Sequence, residues 1–275
     1  MPSLRLTRAL AQSLLCLAIL LPLTLLLLGA MSTEPNLLRG NLLRPSFSAL
    51  LANLNTVAWV GNQGQAGLLA AVGNTAIIAA ATVIFQVGSS VLAAFGFAFF
   101  NFRFQRAGYC LLIFTYLIPP VVSVVPLFFV ATDLGLKETA LGIALPYLLF
   151  SPYALVMLRG RFESIPRQLL QQGILDGLGP WNTLWYLVLP LCRPFIAIIG
   201  LVTFISAWNS FLWPRLIAGS GFPQVTVALG ALQGQYSSHW NLVLAGTLIA
   251  LLPAIVAFAV GHRQLMPRFV QESQE

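Results

Sequence analysis

Charge is scarce in this chain. Asp, Glu, Lys and Arg make up 8% of its 275 residues, where an ordinary soluble domain carries about 25%. Mean hydropathy is +0.87. So few charges exclude an ordinary soluble globular protein and point to a membrane as the solvent. Acidic residues are the scarcer sign, seven against fourteen Lys and Arg, leaving a net charge of +7. A positive excess invites a nucleic-acid reading. The arginines, however, stand in small groups between apolar runs, where membrane topology accounts for them.

The residues of common catalytic and metal sites are equally thin. The three cysteines, Cys16, Cys110 and Cys192, lie in or beside apolar segments. They have no ligand spacing and form no disulfide framework, and are expected as buried thiols. The two histidines, His239 and His262, fall on opposite sides of the membrane in the topology below and share no site. There is no His-Glu-x-x-His pair, no Gly-x-Ser-x-Gly elbow and no phosphate-binding Gly-Lys-Ser/Thr loop. Glu163 and Asp176 have no acid/base partner. No ionisable residue falls mid-span, the position where a proton-coupled transporter places one. The chain reads as a non-enzyme that does not carry its own energy coupling.

What the chain has in abundance is long apolar runs. Arg5 and Arg8 precede an uncharged run from Ala9 to Thr33. A cleaved signal peptide is the rival reading, but its apolar core is only about 7–15 residues, so the run is read as an uncleaved first span. Residues 31–72 leave the bilayer, with SFSALLANLNTVAWV and GLLAAV as short surface helices. Further spans are expected at about 74–99, 109–131, 139–158, 193–213 and 241–261. Pro119-Pro120 must kink or break the third. The expected fold is all-α, a single transmembrane domain over 1–275 with six spans.

Six spans put both termini on one side. That side carries Arg5, Arg8, Arg103, Arg106, Arg159, Arg161, Arg167, Arg193, Arg263 and Arg268; the other carries Arg39, Arg44, Lys137 and Arg215. Ten against four makes the first side cytoplasmic by the positive-inside rule.

The longest run of mixed polarity, 163–192, then faces the cytoplasm. Ser164 can cap a helix and Pro166 suits its first turn. Pro166, Leu169, Leu170, Gly173 and Ile174 share one face of a short amphipathic helix over Pro166–Leu175; Arg167, Gln168, Gln171 and Gln172 take the other. Asp176-Gly177 ends it, and Gly179-Pro180 opens a second helix with Trp181, Leu184, Trp185, Val188 and Leu189 on one face. Pro190 and Pro194 mark the start of the next span.

The spacing of Asp176-Gly177, Leu187 and Leu189-Pro190 resembles the cytoplasmic loop of ABC importer permeases, commonly written Glu-Ala-Ala-x-x-x-Gly with Ile-x-Leu-Pro further on. Residues 126–166, Asn74-Thr75 with AAFGFAFFNFRFQ, and AWNSFLWP at Ala207 to Pro214 resemble the carbohydrate-type subfamily in the same order. The likeness covers about 70 to 260. Gln171, Gln172 and Gly173 replace the Glu-Ala-Ala triplet, and the tail RQLMPRFVQESQE lacks the glycine-rich ending common in such subunits.

The resemblance implies a permease subunit importing a sugar or sugar-like solute. It also implies a second homologous permease, two ABC ATPase subunits that bind ATP and Mg²⁺ in place of any cofactor in this chain, and an extracytoplasmic solute-binding protein. Leu169, Leu170, Gln171, Gly173, Ile174, Asp176 and Gly177 would form the coupling element against the ATPase. Packing on the chain's own spans is the other reading of that helix. Ser206, Trp208 and Asn209, with Thr115 and Tyr116, are candidates for the substrate path, against simple interhelical hydrogen bonding or a place at the outer interface. Glycerol phosphate or polyamine import by the same architecture, and a non-transport scaffold, remain as alternatives.

Overall fold

The computed structural model describes residues 2–41, 44–60, 67–149, 151–219, 221–232 and 239–261. His262, Arg263, Arg268 and the rest of the tail lie outside them. Among the described residues all regular structure is helical. Contacts divide the chain into two compact units, Met1–Gly73 with Val225–Pro253, and Asn74–Gln224 with Ala254–Glu275.

In the first unit α1 (Pro2–Ala30) is long enough to span a bilayer. Its Leu14, Leu15 and Leu17 are all more than 60% exposed, as befits a helix whose outer surface meets lipid rather than water. Short helices α2 (Glu34–Leu38) and α3 (Phe47–Asn55) follow, the latter capped by Ser46, whose Oγ accepts the Ala49 N–H. Buried Asn53 ties the unit together. Its Nδ2 donates to the carbonyls of Ala30 (2.9 Å) and Ser32 (3.0 Å), and its Oδ1 accepts from Asn241 Nδ2 (2.9 Å). Carbonyls left over at the end of α1 thereby find donors. The segment GLLAAV is no separate surface helix, as the sequence reading has it. It opens α4 (Leu68–Phe99), which runs on through Gly73-Asn74 without a break.

In the second unit α4 carries a π-turn at Val83–Val87. Helices α5 (Gln105–Leu117) and α6 (Pro120–Asp133) meet at 96°, so Pro119-Pro120 breaks the third apolar run. The fourth run is broken too, which the sequence reading does not anticipate. Helices α7 (Ala140–Tyr147) and α8 (Pro152–Glu163) bend by 44°. At that break the Ser151 N–H donates to the buried Ser90 Oγ of α4 (3.0 Å), and the Ser151 Oγ accepts from Ala154 N. A short α9 (Arg167–Leu175) leads into α10 (Pro180–Trp208), 29 residues without interruption.

That continuity is a third departure from the sequence reading, which ends one helix near Leu189 and starts a span at 193. A π-turn at Leu184–Val188 directly precedes Pro190, and such a bulge relieves the hydrogen bond a proline cannot make. Leu184 and Val188 are buried while Trp181 and Trp185 are 59% and 53% exposed, so these side chains do not share one environment.

Helix α11 (Leu212–Ile217) follows, then α12 (Val225–Ala231) of the first unit and α13 (Trp240–Gly261), which passes the unit boundary. Trp213 of α11 donates its Nε1–H to the carbonyls of Gly142 and Ile143, both at 3.2 Å. Among the described residues four helices are long and apolar enough to cross a membrane, and six segments are if each bent pair counts as one span. Of the cysteines only Cys192 is buried; Cys16 and Cys110 are exposed on apolar helices. In a chain whose exterior is itself apolar, an apolar setting does not imply burial.

Candidate functional site

The site is built on a core that fastens the 163–192 segment to the ends of α4, α8 and α10. Phe95, Leu158, Phe162, Ile165, Leu184 and Val188 are buried in it, and Leu170 of α9 packs against it. Ile165 fixes how α9 begins. With its side chain in the core, Ser164 closes α8 instead of opening α9. The Ser164 Oγ donates to the Arg161 carbonyl (2.7 Å), and Pro166 takes the N-cap position with φ −56° and ψ 127°.

The end of α9 is a Schellman turn. The Leu178 N–H donates to the Gly173 carbonyl (2.9 Å) and the Gly177 N–H to the Ile174 carbonyl (3.0 Å). That pattern puts residue 177 in the left-handed region, and Gly177 has φ +82°. A Cβ at Gly173 would lie 3.2 Å from Leu178 Cδ1, so glycine there lets the leucine fold back over the helix. These two glycines do separate jobs, one conformational and one of close approach.

The inward side of α9 is narrow. Gly173 is buried and Leu170 half-buried, while Leu169, Ile174 and Leu175 are 39%, 65% and 85% exposed. Packing on the chain's own spans therefore uses only part of the apolar face. Leu175 escaped the i, i+3, i+4 reading, yet it is the most exposed of the three. Gln171 lines a cavity of about 830 Å³ together with Phe99, Asn101, Arg167, Leu170 and Ile174. Asp176 is exposed at the C-cap, where a negative charge opposes the helix dipole. Among the described residues no cation lies within ion-pair distance of it. Nearby, Arg159 is occupied: it bonds Glu163 Oε1 at 2.8 Å and lies 4.0 Å from the Tyr109 ring centroid.

The substrate-path candidates are scattered. Thr115 turns its hydroxyl to the Leu112 carbonyl (2.7 Å), and Tyr116, 59% exposed, stacks on Tyr153 at 6.5 Å. At the end of α10, Ser206 is exposed and Asn209 caps the helix, its Nδ2 donating to the Ile205 carbonyl (2.9 Å). Trp208 is 3% exposed and stacked on Phe204. Its ring is covered in this conformation and offers no face to a sugar.

A helical membrane-spanning chain with an anchored but largely exposed helix–glycine-turn–helix is the setting for comparison with known proteins. The family model of the binding-protein-dependent transport system inner membrane component matches residues 86–269. This chain belongs to that family. Among its relatives, the sn-glycerol-3-phosphate transport system permease protein UgpE of Agrobacterium fabrum is 29% identical over 202 residues, covering 72% of this chain and 71% of that protein. The lactose transport system permease protein LacG of Rhizobium radiobacter is 28% identical over 178 residues, 64% and 65% of the two chains. In fold, this inner-membrane component matches a bacterial ABC transporter involved in import of the acidic polysaccharide alginate. The TM-score is 0.77 at 21% identity, covering 95% of this chain and 96% of that one. Membership makes this a multi-pass transport subunit and not itself an enzyme.

If the 163–192 loop docks on an ATPase, as proposed below, Gln171 tests the nature of that contact. The family pattern has a glutamate at the corresponding place, and glutamine keeps the length without the charge. A hydrogen bond to a charged group contributes about 1.5–3 kcal/mol, against about 1 for a neutral pair. Gln171→Ala is therefore expected to weaken assembly with the ATPase only moderately and with little salt dependence. Gln171→Glu should be tolerated. Complex stability across a salt series measures both. A wild-type complex that dissociates steeply with salt would shift the contact to Arg167 and Asp176.

Proposed function

We propose that this chain is one permease subunit of an ATP-driven ABC importer for a sugar or sugar-like solute. It forms half of the translocation path beside a second homologous permease. Two separate ABC ATPase subunits bind ATP and Mg²⁺ and hydrolyse it, and an extracytoplasmic solute-binding protein delivers the solute. The observation that carries this reading is α9, which packs on the core through Leu170 yet leaves most of its residues exposed. Leu169, Leu170, Gln171, Gly173, Ile174, Asp176 and Gly177 form the coupling element in this proposal. Thr115, Tyr116, Ser206 and Asn209 are the path candidates with accessible groups.

The ten-to-four distribution of Lys and Arg supports a cytoplasmic position for both termini and for 163–192. Helix α10 fits it. Its 29 residues extend about 43 Å at 1.5 Å each, against about 30 Å of hydrocarbon, so its first turns can stand in the cytoplasm with α9. Glycerol phosphate is the second solute reading, favoured by the likeness to UgpE.

The test is purification of the chain from its native membrane. The expected result is an accompanying ATPase whose hydrolysis rises when the solute-binding protein is added. Purification without any ATPase would favour a scaffold. For orientation, single cysteines at Ser46 and Gln168, in a background lacking Cys16, Cys110 and Cys192, should react with an impermeant reagent from opposite faces. Labelling from one face would overturn the topology.

A further inference from the structure

The loop between α4 and α5, Phe100 to Arg106, has no part in the coupling proposal, yet it is built with care. The Gln105 Nε2 donates to the Phe97 carbonyl (2.7 Å), and the Phe97 ring packs on Phe102 (5.4 Å) and Tyr109 (5.8 Å). A loop held this way presents fixed side chains. Outward it shows Phe100, Phe102 and Phe104, 43%, 48% and 67% exposed, with Arg103 and Arg106 exposed among them. The Arg103 guanidinium lies 5.3 Å from the Phe104 ring centroid, which steadies it without neutralising it. Neither arginine has a carboxylate within ion-pair distance among the described residues. Arg159 and Arg161 on α8 differ, being bonded to Glu163 and Ser164.

Unpaired arginines and exposed aromatic rings at the ends of two apolar helices describe a surface made for a boundary. We infer that this loop is a binding site for the headgroup of an anionic phospholipid such as phosphatidylglycerol. The two guanidinium groups would take the phosphate oxygens, since their planar forks suit bidentate pairing. Phe102 and Phe104 would enter the glycerol and upper acyl region, where aromatic rings settle. A free anion would make no use of the rings, so the lipid is the occupant that satisfies both features. Phe100 and Asn101 also line the cavity beside α9, so a bound lipid would brace the wall next to the coupling helix. The leaflet, cytoplasmic, rests on the topology proposed above; the site itself does not.

The experiment uses the full chain purified in detergent, with lipid retention read by native mass spectrometry. Phosphatidylglycerol and phosphatidylcholine of identical acyl chains are the probes. Wild type is expected to retain the anionic lipid about thirtyfold more strongly, the attraction of two basic side chains near a charged surface. The double variant Arg103→Gln/Arg106→Gln should lose that preference, and Arg103→Lys/Arg106→Lys should keep part of it. Phe102→Ala/Phe104→Ala should lower retention of both lipids. Arg39→Gln/Arg44→Gln, an equal change of charge elsewhere, should leave the preference intact and controls for misfolding. No preference in wild type, or an unchanged preference in the Gln variant, overturns the inference. Displacement of phosphatidylglycerol by millimolar inorganic phosphate does so too, since the site would then be one for free anions. Failure here would leave the transport reading standing, because retention requires neither ATPase nor solute.

Discussion

On the coupling proposal, replacing Ile174 and Leu175 together by aspartate is expected to release the chain from its ATPase while leaving it inserted in the membrane. The two side chains are 65% and 85% exposed, so the substitutions disturb little of the chain's own packing. At a docked surface each would lose about 1.5–3 kcal/mol of apolar burial and place a carboxylate where water is excluded. Affinity should fall on the order of a hundredfold or more, each 1.4 kcal/mol being about tenfold. Co-purification yield and ATP hydrolysis stimulated by the binding protein should fall together. Leu170→Ala makes an instructive contrast. Leu170 packs on the core that anchors α9, so its loss should lower the thermal stability of the isolated chain as well. Wild-type ATPase retention by the aspartate variant would mean that this side of α9 is not the docking face.

Gly177→Val is expected to uncouple the complex rather than dismantle it. At φ +82° an L-residue costs about 1–2 kcal/mol, more with a β-branch. No atom lies within 4 Å of a Cβ placed there, so the penalty is one of backbone conformation and not of packing. The Schellman turn should open, and the angle between α9 and α10 should no longer be held. Basal ATP hydrolysis persists in this account while solute-stimulated hydrolysis and transport are lost. Gly177→Asn should restore most of the coupling, because asparagine tolerates the left-handed region. If the valine variant transports normally, the turn is not the coupling element.

How far the sequence reveals this depends on whether the cause is local. The Asp176-Gly177 turn and the break at Pro119-Pro120 are written in dipeptides, and both stand where those dipeptides place them. The bend between α7 and α8 has a local sign, Ser151 as N-cap with Pro152 in the first turn of α8, which the sequence reading passes over inside an apolar run; the Ser90 hydroxyl that meets the Ser151 N–H comes from another helix. Helix α10 runs on through Pro190 and Pro194, and the π-turn just ahead of Pro190 shifts the side-chain frame and defeats a fixed 3.6-residue count. Trp181 and Trp185, four residues apart with rings at 6.0 Å, form an exposed pair, and Leu184 and Val188 form a buried one beside it. For Trp208, an apolar helix end reads alike whether the ring is open to a pathway or stacked under Phe204. The exposure of Leu175 was hidden by its place beside, not within, the apolar stripe.

Site-directed cross-linking at Ile174 tests the central claim, that α9 is the part of this chain an ATPase grips. The measurement uses Ile174→Cys in a background lacking Cys16, Cys110 and Cys192, treated in native membranes with a short thiol-directed photo-cross-linker. The account predicts an adduct of this chain with an ATP-binding subunit, with a yield that changes when a non-hydrolysable ATP analogue is added. A cross-link confined to this chain's own helices, unchanged by nucleotide, would contradict it.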